Sequence, residues 1–140
     1  MNKRDILRRK VWRKYNKHCA YCGKLIEYKD MQVDHMYPKH LIAWLPDDRA
    51  RKVHGFATND MVNLMPSCRR CNHYKRQQTL EGFRRTMMTL HERIQGLYIG
   101  KVAIDYGIVT IKSFNGKFYF EKKKHKGGDA KCLNKNGQIK

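Results

Sequence analysis

The sequence Cys-Arg-Arg-Cys at residues 68–71 repeats the spacing of Cys-Ala-Tyr-Cys at residues 19–22, with 45 residues between the two pairs. A C-x2-C turn places two thiolates on one side of a metal ion, and two such turns complete a tetrahedral shell. Soft thiolates in that geometry favour Zn²⁺ over Mg²⁺ or Ca²⁺. The four residues that share this role predict a structural zinc site: Cys19, Cys22, Cys68 and Cys71. Two separate redox pairs are the alternative interpretation.

The charge of the chain points to an anionic partner. Its 140 residues carry 31 Lys and Arg against 12 Asp and Glu, which gives a formal net charge of +19. A phosphate backbone is the commonest partner for such an excess, and an anionic membrane surface is the weaker alternative. No stretch approaches the roughly 18 apolar residues of a spanning helix, and the N-terminus lacks the apolar segment of a signal peptide. We therefore expect a cytoplasmic protein, in which reduced thiols favour metal binding.

Hydrophobic spacing outlines the elements of the first half of the chain. An apolar edge at every fourth residue predicts a basic helix from Asp5 to Tyr15. Residues 24–28 and 31–35 have the composition of a short hairpin around Lys29-Asp30. Residues 36–58 show no clear period, so we expect a long loop with one helical turn near residues 40–45.

The second half of the chain predicts helices followed by a hairpin. Thr79 has the position of an N-cap for a helix that runs to about Gln95, and a further helical segment spans residues 97–106. Asn115-Gly116 lies between residues 108–111 and 117–120, which predicts a C-terminal β-hairpin. From Lys122 onward we expect a disordered basic tail. This organisation divides the chain into a core (1–78), an extension packed on it (79–121) and a tail (122–140).

Three side chains near the cysteine pairs could hydrolyse a phosphodiester. Asp34-His35 ends a predicted strand, and Asn72 follows Cys71 at the start of a predicted helix. The imidazole of His35 has an unperturbed pKa of about 6.5, which suits a general base near neutrality. Asp34 and Asn72 offer the oxygen ligands that Mg²⁺ prefers.

The spacing of these residues resembles the HNH endonucleases with the ββα-metal fold. The matching positions are Val33-Asp34-His35-x2-Pro38, then Asn63-Leu64, then Cys68-x2-Cys71-Asn72-x2-Lys75. Residues 68–75 and 80–83 look similar to phage-type members, which implies a bacterial or phage-infected host cell. The resemblance implies an α+β fold with a small ββα-metal core, a structural zinc and flanking elements.

The resemblance also implies a role for each site residue. In the HNH family the histidine is the general base, which falls on His35, and the preceding acidic residue, here Asp34, binds the catalytic metal. Asn63 corresponds to the asparagine that braces the loop of the base. Asn72 corresponds to a second metal ligand that is often histidine, and the change to Asn favours Mg²⁺ or Mn²⁺. The implied activity is hydrolysis of DNA, by nicking or by double-strand cleavage, and RNA stays open as a substrate.

Several further assignments follow with less support from the motif. The cationic residues around the second cysteine pair are expected to hold the phosphate backbone: Arg69, Arg70, Lys75 and Arg76. Three other histidines could assist: His40, His54 and His73. A zinc-stabilised nucleic-acid-binding protein without activity is the alternative function. Monomer and homodimer are both open.

Overall fold

The computed structural model describes residues 1–123. Within that range the elements follow in this order: α1 (Lys3–Arg13), β1 (Gln32–His35), α2 (Lys39–Ile42), α3 (Asp47–His54), β2 (Leu64–Ser67), α4 (Arg69–Lys75), α5 (Leu80–Met88), α6 (Leu90–Gly96), α7 (Tyr98–Asp105) and α8 (Tyr119–Lys122). The α+β class is confirmed. The tail predicted from Lys122 lies outside the described residues from position 124 onward.

The two strands form one antiparallel pair that carries the candidate catalytic residues. β1 and β2 pair with Gln32 opposite Ser67 and His35 opposite Leu64. α4 follows β2 directly and packs against β1. Two antiparallel strands and the helix that crosses them thus give the ββα arrangement that the resemblance implied.

The predicted local hairpin around Lys29-Asp30 is wrong. Lys29 and Asp30 belong to a single 3-10 turn, and β1 pairs with a strand some thirty residues further along the chain. Residues 24–26 instead pair across the first cysteine turn, because Leu25 bridges to His18 and the Ile26 N–H donates to the Lys17 carbonyl. The connection of the small hairpin is therefore the first cysteine turn, and not Lys29-Asp30 as the composition had suggested.

α1 begins at a capped N-terminus and joins the strand pair. The Asn2 side chain accepts from the Asp5 N–H, which satisfies one of the free donors of the first turn. Val11 is fully buried in the core, and the Lys14 ammonium donates to the Met61 and Leu64 carbonyls. These contacts hold the basic helix against the segment that leads into β2.

The segment of residues 36–58 is more regular than predicted. The expected helical turn is present as α2, but α3 was missed. Two acidic residues occupy the first turn of α3 and Gly55 ends it with a positive φ of 87°, both ordinary helix signals. Ile42, Ala50, Phe56 and Ala57 form a small second core beneath this segment.

The helical extension is broken where one long helix was predicted. α5 ends at Met88 and α6 begins at Leu90, because Thr89 has φ −107° and ψ 0° and its hydroxyl donates to the Arg85 and Thr86 carbonyls. A hydroxyl that competes for backbone carbonyls in this way weakens a helix locally. Phe83 of α5 is buried in the main core with Tyr21 and Phe118.

The predicted C-terminal β-hairpin is wrong. Asn115-Gly116 does turn, with a φ of 88° at Gly116, but no strand forms on either side of it within the described residues. The Tyr119 and Phe120 N–H groups donate to the Tyr21 and Ala20 carbonyls of the first cysteine turn. Burial of Phe118 in the core overrides the local strand preference, and α8 forms instead.

In the part of the chain that the structure describes, no helix has both the length and the apolar character needed to span a membrane.

Candidate metal and catalytic site

The two cysteine pairs converge on one point. The four Sγ atoms all lie within 4.8 Å of one another, and Cys22 and Cys68 are 3.9 Å apart. A tetrahedral ion with metal–sulfur bonds of about 2.3 Å needs sulfurs about 3.8 Å apart. The four thiols are therefore placed to bind one metal ion, which is consistent with a structural zinc.

The close approach of these thiols changes the pKa of three of them. Hydrogen bonds from Cys22 and Cys71 lower the pKa of Cys19 far below its ordinary value. The hydrogen bond to Cys19 raises the pKa of Cys22 to about 11, and the hydrogen bonds to Cys19 and Cys22 raise the pKa of Cys71. Neighbouring thiolates repel one another, so a bound metal ion would favour the ionised form of the sulfurs that bind it.

Asp34, His35 and Asn72 line a single cleft. The cleft has a volume of about 230 Å³ and lies beside β1 and the second half of α4. Asp34 and His35 come from the end of β1, and Asn72 comes from α4 next to Cys71. The strand pair and the second cysteine turn therefore bring together the three side chains that the sequence had singled out.

The carboxylate of Asp34 is held by one of its two oxygens. Oδ2 accepts from the Tyr21 hydroxyl and lies 3.0 Å from the Lys75 ammonium. Within residues 1–123 no hydrogen bond engages the other oxygen, Oδ1. Burial raises the pKa of Asp34, and the positive charge of Lys75 opposes that rise.

His35 is oriented by a loop residue. Its Nε2 lies 2.9 Å from Oδ1 of Asn59, an acceptor, and in the neutral ring this contact favours the tautomer with the proton on Nε2 and the lone pair on Nδ1. Burial lowers the pKa of His35, and the nearby Lys39 charge acts in the same direction. Both effects favour the neutral ring, which is the form that can accept a proton.

Asn63 is fully buried behind the histidine. Its Oδ1 accepts from the Tyr37 N–H at 2.7 Å, and its Nδ2 donates to the Thr58 carbonyl at 2.9 Å and to the Tyr37 carbonyl at 3.2 Å. The Met36 N–H donates to the Asn63 carbonyl. These bonds hold the two ends of the 36–58 segment, at residues 36–37 and at Thr58, against Asn63.

Asn72 and Asp34 offer two side-chain oxygen donors to the cleft, whose lining also includes Gln77. In the described chain the amide of Asn72 makes no side-chain hydrogen bond, so its oxygen is available to a ligand. A carboxylate oxygen and an amide oxygen on one wall of a solvent-accessible cleft fit the donor set of Mg²⁺ or Mn²⁺, which keep several waters. His73 is exposed on α4 and does not line the cleft.

The two histidines of the 36–58 segment, His40 and His54, occupy different places. His40 lines the same cleft as His35, at its exposed edge. His54 lies at the end of α3, where its ring contacts Tyr37 at a centroid distance of 5.2 Å. Sequence spacing alone could not distinguish these positions.

The assignment of Lys75 to the phosphate backbone is wrong. Its side chain is 0% exposed, and its ammonium donates to the His35 carbonyl at 3.1 Å besides pairing with Asp34. The spacing contained a signal for this, because Lys75 lies three residues after Asn72 and so on the same face of α4. Arg69, Arg70 and Arg76 are exposed, and Arg76 lines the cleft.

Three residues of the site were missed by the sequence analysis. Tyr21 binds Asp34 from within the first cysteine turn, Asn59 orients His35, and Lys39 lines the cleft beside it. The position of Tyr21 between two candidate ligands was visible in the sequence. No local signal pointed to Asn59 or Lys39, because the path of the 36–58 segment decides where they lie.

Comparisons with known proteins agree with the residue spacing. Residues 19–78 match the model of the HNH endonuclease family, which confirms the predicted resemblance. No curated protein matches the chain. Among solved structures, the crystal structure of the Type II-C Cas9 enzyme from Actinomyces naeslundii is similar at 22% sequence identity with a TM-score of 0.47. That similarity covers 76% of this chain and 10% of the other, so this chain spans about a tenth of that enzyme's length.

Proposed function

Because residues 19–78 carry an HNH endonuclease domain, we propose that this protein is a metal-dependent endonuclease that hydrolyses phosphodiester bonds in DNA. One observation carries the proposal. The side chains of His35, Asp34 and Asn72 line one cleft, and within residues 1–123 neither Oδ1 of Asp34 nor the amide oxygen of Asn72 accepts a hydrogen bond. A binding module has no need of these three groups together.

His35 is the general base in this proposal. Asn59 keeps the proton on Nε2, so Nδ1 takes the proton from the water that attacks phosphorus. The products are a 5′-phosphate and a 3′-hydroxyl, as the family resemblance implies. Asn63 supports the base by fixing the backbone of the residues that follow it.

Asp34 and Asn72 would hold the catalytic cation, through Oδ1 of the carboxylate and the amide oxygen. When bound, Mg²⁺ or Mn²⁺ neutralises negative charge that develops on the phosphate oxygens. Among residues 1–123, Asp34 is the one carboxylate that lines the cleft, and a cation held by so few protein oxygens would keep several waters. The four cysteines would hold Zn²⁺ in a closed shell, which would leave no open position on that ion for water or substrate.

Basic side chains at the edge of the cleft would bind the phosphate backbone of the substrate. Arg76 and Lys39 line it, and Arg69 and Arg70 are exposed on the adjoining first turn of α4. Such contacts position the phosphate backbone and do not read the bases. They therefore support binding to nucleic acid and give no indication of a preferred sequence. The net charge of +19 adds a long-range attraction for the same partner.

The metal dependence of plasmid cleavage tests this function. Purified zinc-loaded protein is incubated with supercoiled plasmid without added metal and with Mg²⁺, Mn²⁺ or additional Zn²⁺. We expect nicked or linear product with Mg²⁺ and Mn²⁺. We expect no product when EDTA is added to the reaction to chelate the catalytic cation. Tight plasmid binding without cleavage in every condition would instead establish the non-catalytic nucleic-acid-binding protein, and single-stranded RNA run in parallel decides between the two substrates.

A further inference from the structure

The carboxylate of Asp34 is tied to the cysteine site through Tyr21. This residue lies between Cys19 and Cys22, and its hydroxyl donates to Oδ2 of Asp34. The ring is 4% exposed and packs edge-on against Phe118 at a centroid distance of 5.4 Å, with Phe83 at 5.5 Å on another side. The hydroxyl is therefore held in place by the core and by the turn that the metal closes.

A second anchor reaches the same oxygen from the other cysteine turn. Lys75 ends α4, the helix that Cys68 caps by accepting the Cys71 N–H, and its ammonium lies 3.0 Å from Oδ2. The same ammonium donates to the His35 carbonyl. One carboxylate oxygen is thus held by Tyr21 of the first cysteine turn and by Lys75 at the end of the helix that begins at the second turn, and Lys75 also holds the strand that bears the carboxylate.

This arrangement leaves Oδ1 as the oxygen that can bind a cation. A carboxylate whose two oxygens are free can rotate about its last bond, whereas one held at Oδ2 presents Oδ1 in a single orientation. Carboxylates that bind metals are commonly hydrogen-bonded in this way, and removal of such a partner typically costs about 10- to 100-fold in metal affinity.

We propose that Tyr21 is a positioning residue, through which the four-cysteine site orients the Asp34 carboxylate for the catalytic cation. The inference rests on the proposed function, since it takes Asp34 as a ligand of that cation. The cysteine site then has a consequence besides stabilising the fold. The first cysteine turn, which would bind the zinc ion, also orients Asp34, a ligand of the catalytic cation in the proposed function.

The Mn²⁺ affinity of the zinc-loaded protein tests this inference without DNA and without turnover. Electron paramagnetic resonance of free Mn²⁺ gives the dissociation constant for wild type and for Tyr21→Phe, which removes one oxygen and leaves the ring contacts. We expect binding about tenfold weaker or more in Tyr21→Phe. In cleavage assays the Mn²⁺ activation curve shifts to higher concentration by the same factor and reaches a similar plateau.

Two control variants separate positioning from damage to the fold. Tyr28→Phe removes a hydroxyl that makes the same kind of bond to Asp5, away from the cleft. Val11→Ala opens a cavity at a fully buried residue and lowers the melting temperature without touching Asp34. We expect both to bind Mn²⁺ as wild type does.

The outcomes distinguish the inference from the proposed function. If wild type binds no Mn²⁺, the proposed cation site fails and the inference falls with it. If wild type binds Mn²⁺ and Tyr21→Phe binds it equally well, the inference alone is overturned. Equal weakening in Tyr21→Phe and Val11→Ala also overturns it, because the effect then follows stability and not the hydroxyl.

Discussion

Replacement of Asn63 by Ala is expected to release the segment that follows His35. The change removes three side-chain hydrogen bonds, to the Thr58 carbonyl and to the Tyr37 N–H and carbonyl. Because Asn63 is 0% exposed, no water can reach its place without a rearrangement of the segment. The variant therefore leaves backbone groups without partners in addition to losing the bonds.

The size of the effect follows from the burial of each group. A fully buried carbonyl left unpaired, as at Thr58, costs about 1–3 kcal/mol, and each half-buried bond to Tyr37 contributes about 0.5–1.5 kcal/mol. We therefore expect the free energy of unfolding to fall by about 2–6 kcal/mol. Asn63→Asp is expected to cost at least as much, because it places a carboxylate oxygen against two carbonyls.

Urea unfolding at fixed, saturating Zn²⁺ measures this change, with far-UV circular dichroism as the signal. Asn115→Ala is the matched control, since that exposed side chain makes one local bond to the Lys117 N–H. We expect the control to change stability by less than about 0.5 kcal/mol. A loss below about 1 kcal/mol in Asn63→Ala would refute the reasoning, because it would mean that the three bonds do not hold the segment.

Three further predictions concern the metal, the surface charge and pH. Chelation of the sulfur-bound ion, followed by circular dichroism, is expected to remove most of the tertiary structure, and a retained melting transition would contradict a structural role. Arg70→Ala is expected to weaken duplex binding and to lower the salt slope by about 0.9; Lys101→Ala on exposed α7 serves as the control, and equal effects would exclude a specific phosphate contact. The Arg51 guanidinium lowers the pKa of Asp60, so that ion pair stabilises the fold above pH about 4, and its contribution is lost as the pH falls through the lowered pKa. Asp60→Asn is therefore expected to cost up to about 1 kcal/mol at pH 7 and progressively less as the pH falls below about 4, and a cost that does not vary with pH would contradict this.

The convergence of the four cysteines and the place of the candidate catalytic residues could be predicted from spacing. Two C-x2-C turns constrain the chain geometrically whatever lies between them, so their convergence did not depend on the intervening segment. Asp34 and Asn72 are fixed to that frame by short links, one through β1 and the other through its direct neighbour Cys71. Local chemistry therefore gave the right place for each of these groups.

What the sequence could not predict depended on contacts between distant residues. β1 pairs with the distant strand β2 and not with residues 24–28. The aromatic residues around Phe118 pack in the core and do not form the predicted C-terminal hairpin. The burial of Lys75 is the clearest case, because a lysine in a run of cations reads as a surface residue until its partner Asp34 is known. The position of Asn59 likewise follows from the fold of a 23-residue segment that begins after His35.

The rate of plasmid cleavage by His35→Ala tests the central claim most directly. In single-turnover reactions with Mg²⁺, loss of the general base is expected to slow cleavage about 100- to 10,000-fold, with DNA binding and zinc content unchanged. His73→Ala, an exposed histidine of α4 outside the cleft, is the matched control and is expected to cut as wild type does. A clean preparation of His35→Ala that cuts as fast as wild type would contradict the assignment of His35 as the base.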